Sequence, residues 1–397
     1  MPNFQSRLSP RAIVLLALAL GTFVKLWLAG TTIGSNDLPL FKGFARLLEQ
    51  HGLIELYRGS TIFNHTPLIS AYTVAMYRLA GDSVENFAFL FRLGGIIADA
   101  AVVFGLLRMV RMGTKIPTWA LALFAASPVS MMVSGFHGNV DPMLAAALFF
   151  TGLALKEKRW FLAGLALAIA CNIKVSALII APAFGAWALA QSRAGAVRFT
   201  LASGLLTLAG WAWPLVACPD AFLRNVLGYG GYWGIWGITN LLRATGNPEF
   251  AKISYVNLSA AQNTIISVLK CIVIGSALGL AWFRRKHDLF VTVAAVWLVF
   301  LVFAPGVAAQ YLVWPAPFLL LWSGRWYAAV TAGCSVFLAA FYTIICNGWP
   351  WMLGISTAAN TPKWLPWTHV AWILCVAWLA VAIARLRPTP SDASSLR

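Results

Sequence analysis

Apolar runs broken by short polar clusters set the pattern of the whole chain. A helix crosses a bilayer with about 20 apolar residues. On that rule the pattern predicts about twelve spans, over 12–30, 87–107, 117–134, 142–155, 160–174, 175–191, 199–217, 262–283, 289–304, 311–323, 326–345 and 368–384. The expected fold class is an all-α integral membrane bundle forming one domain over 1–397. One stretch departs from the pattern. Gly34, Ser35, Asn36 and Asp37, the first acid of the sequence, lead into Leu38 to His51. There Leu40, Phe41, Phe44, Leu47 and Leu48 share one helical face, with Lys42, Arg46 and Glu49 on another. This periodicity predicts an amphipathic helix lying in the membrane interface.

Charge orients the spans. Arg7 and Arg11 precede the first one and place the N-terminus inside. Segment 67–80 is short and carries Tyr72, Tyr77 and Arg78. If it crossed, Arg108, Arg111 and Lys115 would fall outside, against the positive-inside rule, so it is expected as a second surface helix. The clusters at 156–159, 193–198 and 284–286, with Arg325, Arg385 and Arg387, then all lie on the cytoplasmic side, as do both termini. Two long outer loops remain. Loop 31–86 holds the surface helices, and loop 218–261 carries Tyr229, Tyr232, Trp233 and Trp236, which suit an interfacial surface. A shorter loop, 346–367, carries Trp349, Trp351, Trp364 and Trp367.

Composition agrees. Of 397 residues 60% are hydrophobic and 10% charged, with a mean hydropathy of +0.78, whereas soluble domains carry about 25% charge. The net charge of +17 does not point to nucleic acid, because no basic face is long enough to track phosphates. The six cysteines have no CxxC spacing, so they signal neither a zinc site nor a disulfide framework. Cys218 and Cys346, near outer span ends, are the one pair placed to bridge. The first span reads as a retained anchor.

The candidate chemistry gathers on the outer face. Asp37 is either the N-cap of the amphipathic helix, with Pro39 in its first turn, or a general base or metal ligand at the membrane surface. The turn from Gly135 to Pro142 packs His137, Asn139 and Asp141 together, and Asp141 has the same cap alternative. Arg92 and Asp99 lie seven residues apart on one helical face. Arg92 is placed to reach a phosphate, and Asp99 to pair with a polar side chain deeper in the bundle. Lys174 follows Cys171, Asn172 and Ile173 at the outer end of a hairpin, where it either snorkels or serves an anionic headgroup. Lys25 reads as a snorkelling residue. His65 precedes Pro67, and Gln310 and Tyr311 open another span at the same level. Cations at that depth suit a lipid phosphate, held by charge-assisted hydrogen bonds. An acid beside them suits deprotonation of a hydroxyl nucleophile.

At these residues the chain resembles the GT-C glycosyltransferases, polytopic enzymes that use polyprenyl-phosphate sugars. Within them it is similar to the catalytic subunit of the first GPI mannosyltransferase and its bacterial relatives. The matching stretches are Asp37, 65–68, 97–99, 134–141, 172–174 and 309–314, in order along the chain. The resemblance implies a GT-C fold, a surface helix at 67–80, a catalytic Asp37 and transfer with inversion at the anomeric carbon. One departure stands out. The relatives carry Asp-x-Asp in the first loop, where this chain has Ser35-Asn36-Asp37. A hard divalent cation wants several oxygen ligands, so Mg²⁺ or Mn²⁺ is expected only if Asp37 and Asp141 are brought together.

The expected activity is transfer of a hexose, mannose first, from a polyprenyl-phosphate donor to a glycolipid or glycan acceptor hydroxyl. Asp37 is expected to be catalytic. His65, Arg92, His137, Asn139, Asp141, Lys174, Gln310 and Tyr311 are expected to bind substrate, with Arg92 and Lys174 on the leaving phosphate. The expected location is a bacterial inner membrane among its lipids, with the site periplasmic. Two rivals remain at this point, a lipid or sugar transporter and a non-catalytic assembly subunit. Transporters place polar sites near the midplane of repeated halves, and this chain has neither feature.

Overall fold

The computed structural model describes residues 8–228, 232–254 and 257–386; Arg7, Tyr229 and Arg387 lie outside them. The chain is a bundle of helices in the order α1 (Pro10–Thr31), α2 (Asp37–Gly59), α3 (Pro67–Ala80), α4 (Val84–Arg111), α5 (Thr118–Ala125) and α6 (Pro128–Ser130). A π-helical segment, Met131–His137, leads to α7 (Asp141–Lys156) and α8 (Trp160–Ile173). Then come α9 (Ala181–Gln191), α10 (Arg193–Ala217), α11 (Pro219–Phe222) and α12 (Gly237–Ala244). The last five are α13 (Ala260–Phe283), α14 (Leu289–Phe303), α15 (Ala316–Trp322), α16 (Gly324–Ile345) and α17 (Thr361–Leu386).

Among the described residues, seven helical stretches are long and apolar enough to cross a membrane: α1, α4, Thr118–His137, α10, α13, α16 and Thr361–Ala384. The other five expected spans are shorter. α7, α8 and α14 have 16, 14 and 15 residues. The stretches 175–191 and 311–323 each divide between a 3₁₀ turn and a short helix. α14 is apolar and buried on nearly every side, which places it inside the bundle. α1 buries only a third of its apolar window and turns the rest outward. α3 has 14 residues, roughly 21 Å of helix, short of the ~30 Å hydrocarbon core.

The first loop is helical, as its periodicity predicts, but the helix is rotated. α2 buries Leu38, Phe41, Lys42, Phe44 and Ala45, while Leu40 and Leu47 stay exposed. Lys42 can lie in the buried face because its ammonium donates to the Asp82 carbonyl between α3 and α4. Gly52, at φ 78°, kinks α2 in a backbone region that favours glycine.

Two expectations fail on packing. Trp233 and Trp236 of the second long loop are fully buried rather than interfacial. The Trp236 indole donates to the Leu301 carbonyl, which docks α12 onto the end of α14. Lys25 does not snorkel; it is buried and pairs with Asp99 at 2.7 Å, the polar partner Asp99 was expected to have. All six cysteines are free, Cys218 and Cys346 included.

Candidate active site

A two-residue parallel bridge sets the start of α2. Gly34 and Ser35 pair with Leu353 and Gly354, which follow α16, so the first loop is tied to the far end of the chain. The Ser35 hydroxyl donates to the His137 carbonyl at 2.8 Å and accepts from the Asp37 backbone N–H at 3.3 Å. This fixes Asp37 against the end of the π-helical segment.

Asp37 is not a helix cap. The cap position is Asn36, which makes no side-chain capping bond. The Asp37 Oδ2 instead accepts from Asn139 Nδ2 at 2.8 Å and faces His137 Nε2 at 3.1 Å. Asn139 is itself oriented, because its Oδ1 accepts the Val140 N–H at 2.7 Å. Gly138, between the two partners, has φ 76°, and a Cβ there would strike Leu38 at 2.4 Å. The Asp37 side chain keeps 27% of its surface exposed, against 7% for His137. Burial raises the carboxyl's pKa, but the hydrogen bonds from His137 and the Asn139 amide and the charge of the Lys174 ammonium outweigh it. The carboxyl therefore titrates below its ordinary value of 3.8. The result is a half-buried, ionised carboxylate with one oxygen occupied and a path to solvent.

A second carboxylate lies at the start of α7. Asp141 is fully buried and is not a cap either. Its Oδ1 accepts from Lys174 Nζ at 2.9 Å and Trp314 Nε1 at 2.6 Å, and its Oδ2 has no partner among the described residues. Lys174 does not snorkel. Its ammonium lies 4.3 Å from the Tyr311 ring centre and 5.1 Å from that of Trp314, and these rings stack at 4.1 Å. An aromatic face attracts a cation most strongly where water is excluded.

His65 is buried beside the Phe41 and Phe63 rings, at 4.8 and 5.8 Å, and its Nδ1 has no partner among the described residues. Burial first, then the charge of Lys174, lower its pKa to about 3, so the imidazole is neutral at physiological pH. Gln310 is half-buried and makes no hydrogen bond with the described residues.

Arg92 does not fit the role expected from its position. It is 1% exposed. Its guanidinium donates to the carbonyls of Ala29, Thr32, Ala88, Gly135 and Phe136 and to the Thr32 hydroxyl. Carbonyls at a helix end lack intrahelical partners and carry partial negative charge. Arg92 satisfies those of α1 and of the π-helical segment, which spends its five N–H donors inside the protein. Of the two cations expected on the leaving phosphate, only Lys174 lies in the site.

Asp37 and Asp141 are each held by N–H donors of other residues, and no group of three or more acidic, histidine or cysteine side chains suited to a metal occurs among the described residues. The sequence missed Trp314 as a ligand of Asp141 and Tyr342 altogether. The Tyr342 hydroxyl lies 3.0 Å from His137 Nδ1, inside an apolar span where only a buried tyrosine's need for a partner marks it.

Residues 60–191 match the family described as alpha-(1->6)-mannopyranosyltransferase, N-terminal domain. The matched stretch holds His65, Arg92, His137, Asn139, Asp141 and Lys174, and leaves Asp37, Tyr311 and Tyr342 outside. No curated protein matches the chain. Over about a third of its length, then, this integral membrane protein is similar to a family of mannosyltransferases, in keeping with the resemblance carried by its motifs.

Proposed function

We propose that the protein transfers mannose from a polyprenyl-phosphate donor to an acceptor hydroxyl at the extracytoplasmic face of a bacterial inner membrane, with both termini cytoplasmic. One observation carries this reading: the partly exposed, ionised Asp37, held by His137 and Asn139 beside Lys174. The acceptor oxygen attacks the anomeric carbon as its proton passes to Asp37. The bond from that carbon to the phosphate oxygen breaks, and the configuration inverts. Lys174 meets the charge growing on the leaving phosphate, where a fixed cation lowers the barrier most. Tyr311 and Trp314 hold that cation in place. His65, Asp141 and Gln310 line the sugar, with an unpartnered His65 Nδ1 and Asp141 Oδ2. No step is routed through a metal.

The test is transfer by the purified protein in lipid, from a panel of labelled polyprenyl-phosphate sugars to glycolipid and glycan acceptors, with and without EDTA. Asp37→Asn should fold as the wild type and lose about 10²–10⁴ in rate. Wild-type turnover in that variant sinks the assignment. Movement of the labelled lipid across the bilayer without transfer would favour a transporter instead.

A further inference from the structure

We infer that Tyr342 is a positioning residue that holds His137 in the Nε2–H tautomer, so that the imidazole donates to Asp37. The inference rests on the proposed role of Asp37 and adds a residue to it.

The hydrogen-bond inventory of the three groups leaves one consistent arrangement. An ionised carboxylate only accepts hydrogen bonds. His137 Nε2 lies 3.1 Å from Asp37 Oδ2, so that nitrogen must carry the proton. In a neutral ring the other nitrogen, Nδ1, is then an acceptor. Its neighbour is the Tyr342 hydroxyl at 3.0 Å, which must donate to it. The opposite tautomer would set a lone pair against the carboxylate. An imidazolium would leave the hydroxyl proton of Tyr342 without an acceptor, and Tyr342 is fully buried, where an unmade hydrogen bond is costly.

The position of Tyr342 is fixed independently of His137. Its ring packs against Phe136 at 5.0 Å, Trp351 at 5.5 Å and Phe341 at 5.2 Å. Just beyond it, Leu353 and Gly354 pair with Gly34 and Ser35, and Asp37 follows two residues later. The end of α16 therefore places both the hydroxyl behind the imidazole and the strand in front of the carboxylate. A tautomer fixed in this way keeps Asp37 aligned while its other oxygen receives the acceptor's proton.

The test has two arms on the full-length protein in lipid bilayers. Solid-state ¹⁵N NMR reads the imidazole directly, and His137→Gln identifies its signal among the five histidines. Protonated Nε2 with unprotonated Nδ1 is expected; a protonated Nδ1 overturns the inference. The second arm is a double-mutant cycle. Tyr342→Phe removes only the hydroxyl and should lower kcat about tenfold, with KM for the polyprenyl-phosphate donor unchanged. Glutamine at 137 has no tautomers, so His137→Gln and His137→Gln/Tyr342→Phe should agree within about twofold. A further tenfold loss in the double variant overturns the inference, because the tyrosine would then act on packing alone. If the wild type transfers no sugar, the proposed function fails, yet the ¹⁵N arm still decides the tautomer.

Discussion

The Lys25 ammonium lies 2.7 Å from Asp99 Oδ2, and that same oxygen accepts the Ser130 and Ser134 hydroxyls at 2.6 Å each. The pair thus joins α1 and α4 to the π-helical segment that ends in His137. Gly135 allows the close approach, since a Cβ there would lie 2.8 Å from Lys25 Cα. Removing the lysine leaves a part-buried carboxylate with only the two serine hydroxyls to hold its charge, which is destabilising. Lys25→Met should therefore lower the thermal unfolding temperature in detergent sharply, and Lys25→Met/Asp99→Leu should recover much of the loss. Equal unfolding temperatures for wild type and Lys25→Met would show that the pair does not brace the fold.

Asn139 supplies one of the two side-chain donors to Asp37. A depressed carboxyl pKa means that activity and the stability linked to Asp37 are fully present above 3.8 and are lost as pH falls through the lower folded value. Asn139→Ala removes a donor to the charged form, so the acid limb of the kcat/KM profile should move to higher pH. An unmoved limb would mean that this amide does not hold the carboxylate.

Arg92 is placed to hold backbone rather than substrate. Lysine offers three donors against the arginine's five and lacks its planar fork. Arg92→Lys should lower the yield of folded protein and the unfolding temperature, with KM for the polyprenyl-phosphate donor unchanged in the protein that folds. A selective rise in that KM with normal stability would return Arg92 to the phosphate.

His65 is buried neutral, with its pKa lowered to about 3. The unfolded chain binds a proton near 6.5, so between the two values it holds more protons than the folded one, and stability falls as pH drops below 6.5. From pH 7 to pH 5 the loss should be about 2 kcal/mol. His65→Phe should flatten that dependence in chemical unfolding. The same slope in both proteins would assign the proton uptake elsewhere.

The sequence by itself determined the membrane class and the rough position of the long helices, though not of α11 and α12 inside the loop 218–261, because apolar run length and the asymmetry of Lys and Arg are properties of a linear chain. It also marked Asp37, His65, Arg92, His137, Asn139, Asp141, Lys174 and Gln310 as one outer-face group, since motifs at loop ends are local, but it could not tell that Arg92 is spent on backbone carbonyls. Span count was less legible: five of the expected spans fall short of the membrane-crossing length, and an inner helix such as α14 is as greasy as one that faces lipid. Partners were not legible at all. Arg92, Lys25 and Lys174 are alike in sequence, cations at the edges of apolar runs. Only the folded bundle sends Arg92 to five carbonyls, Lys25 to Asp99 and Lys174 to Asp141. Tyr342 lies 205 residues from His137. No local pattern encodes that contact, because it depends on α16 returning to the first loop and pairing 353–354 with 34–35.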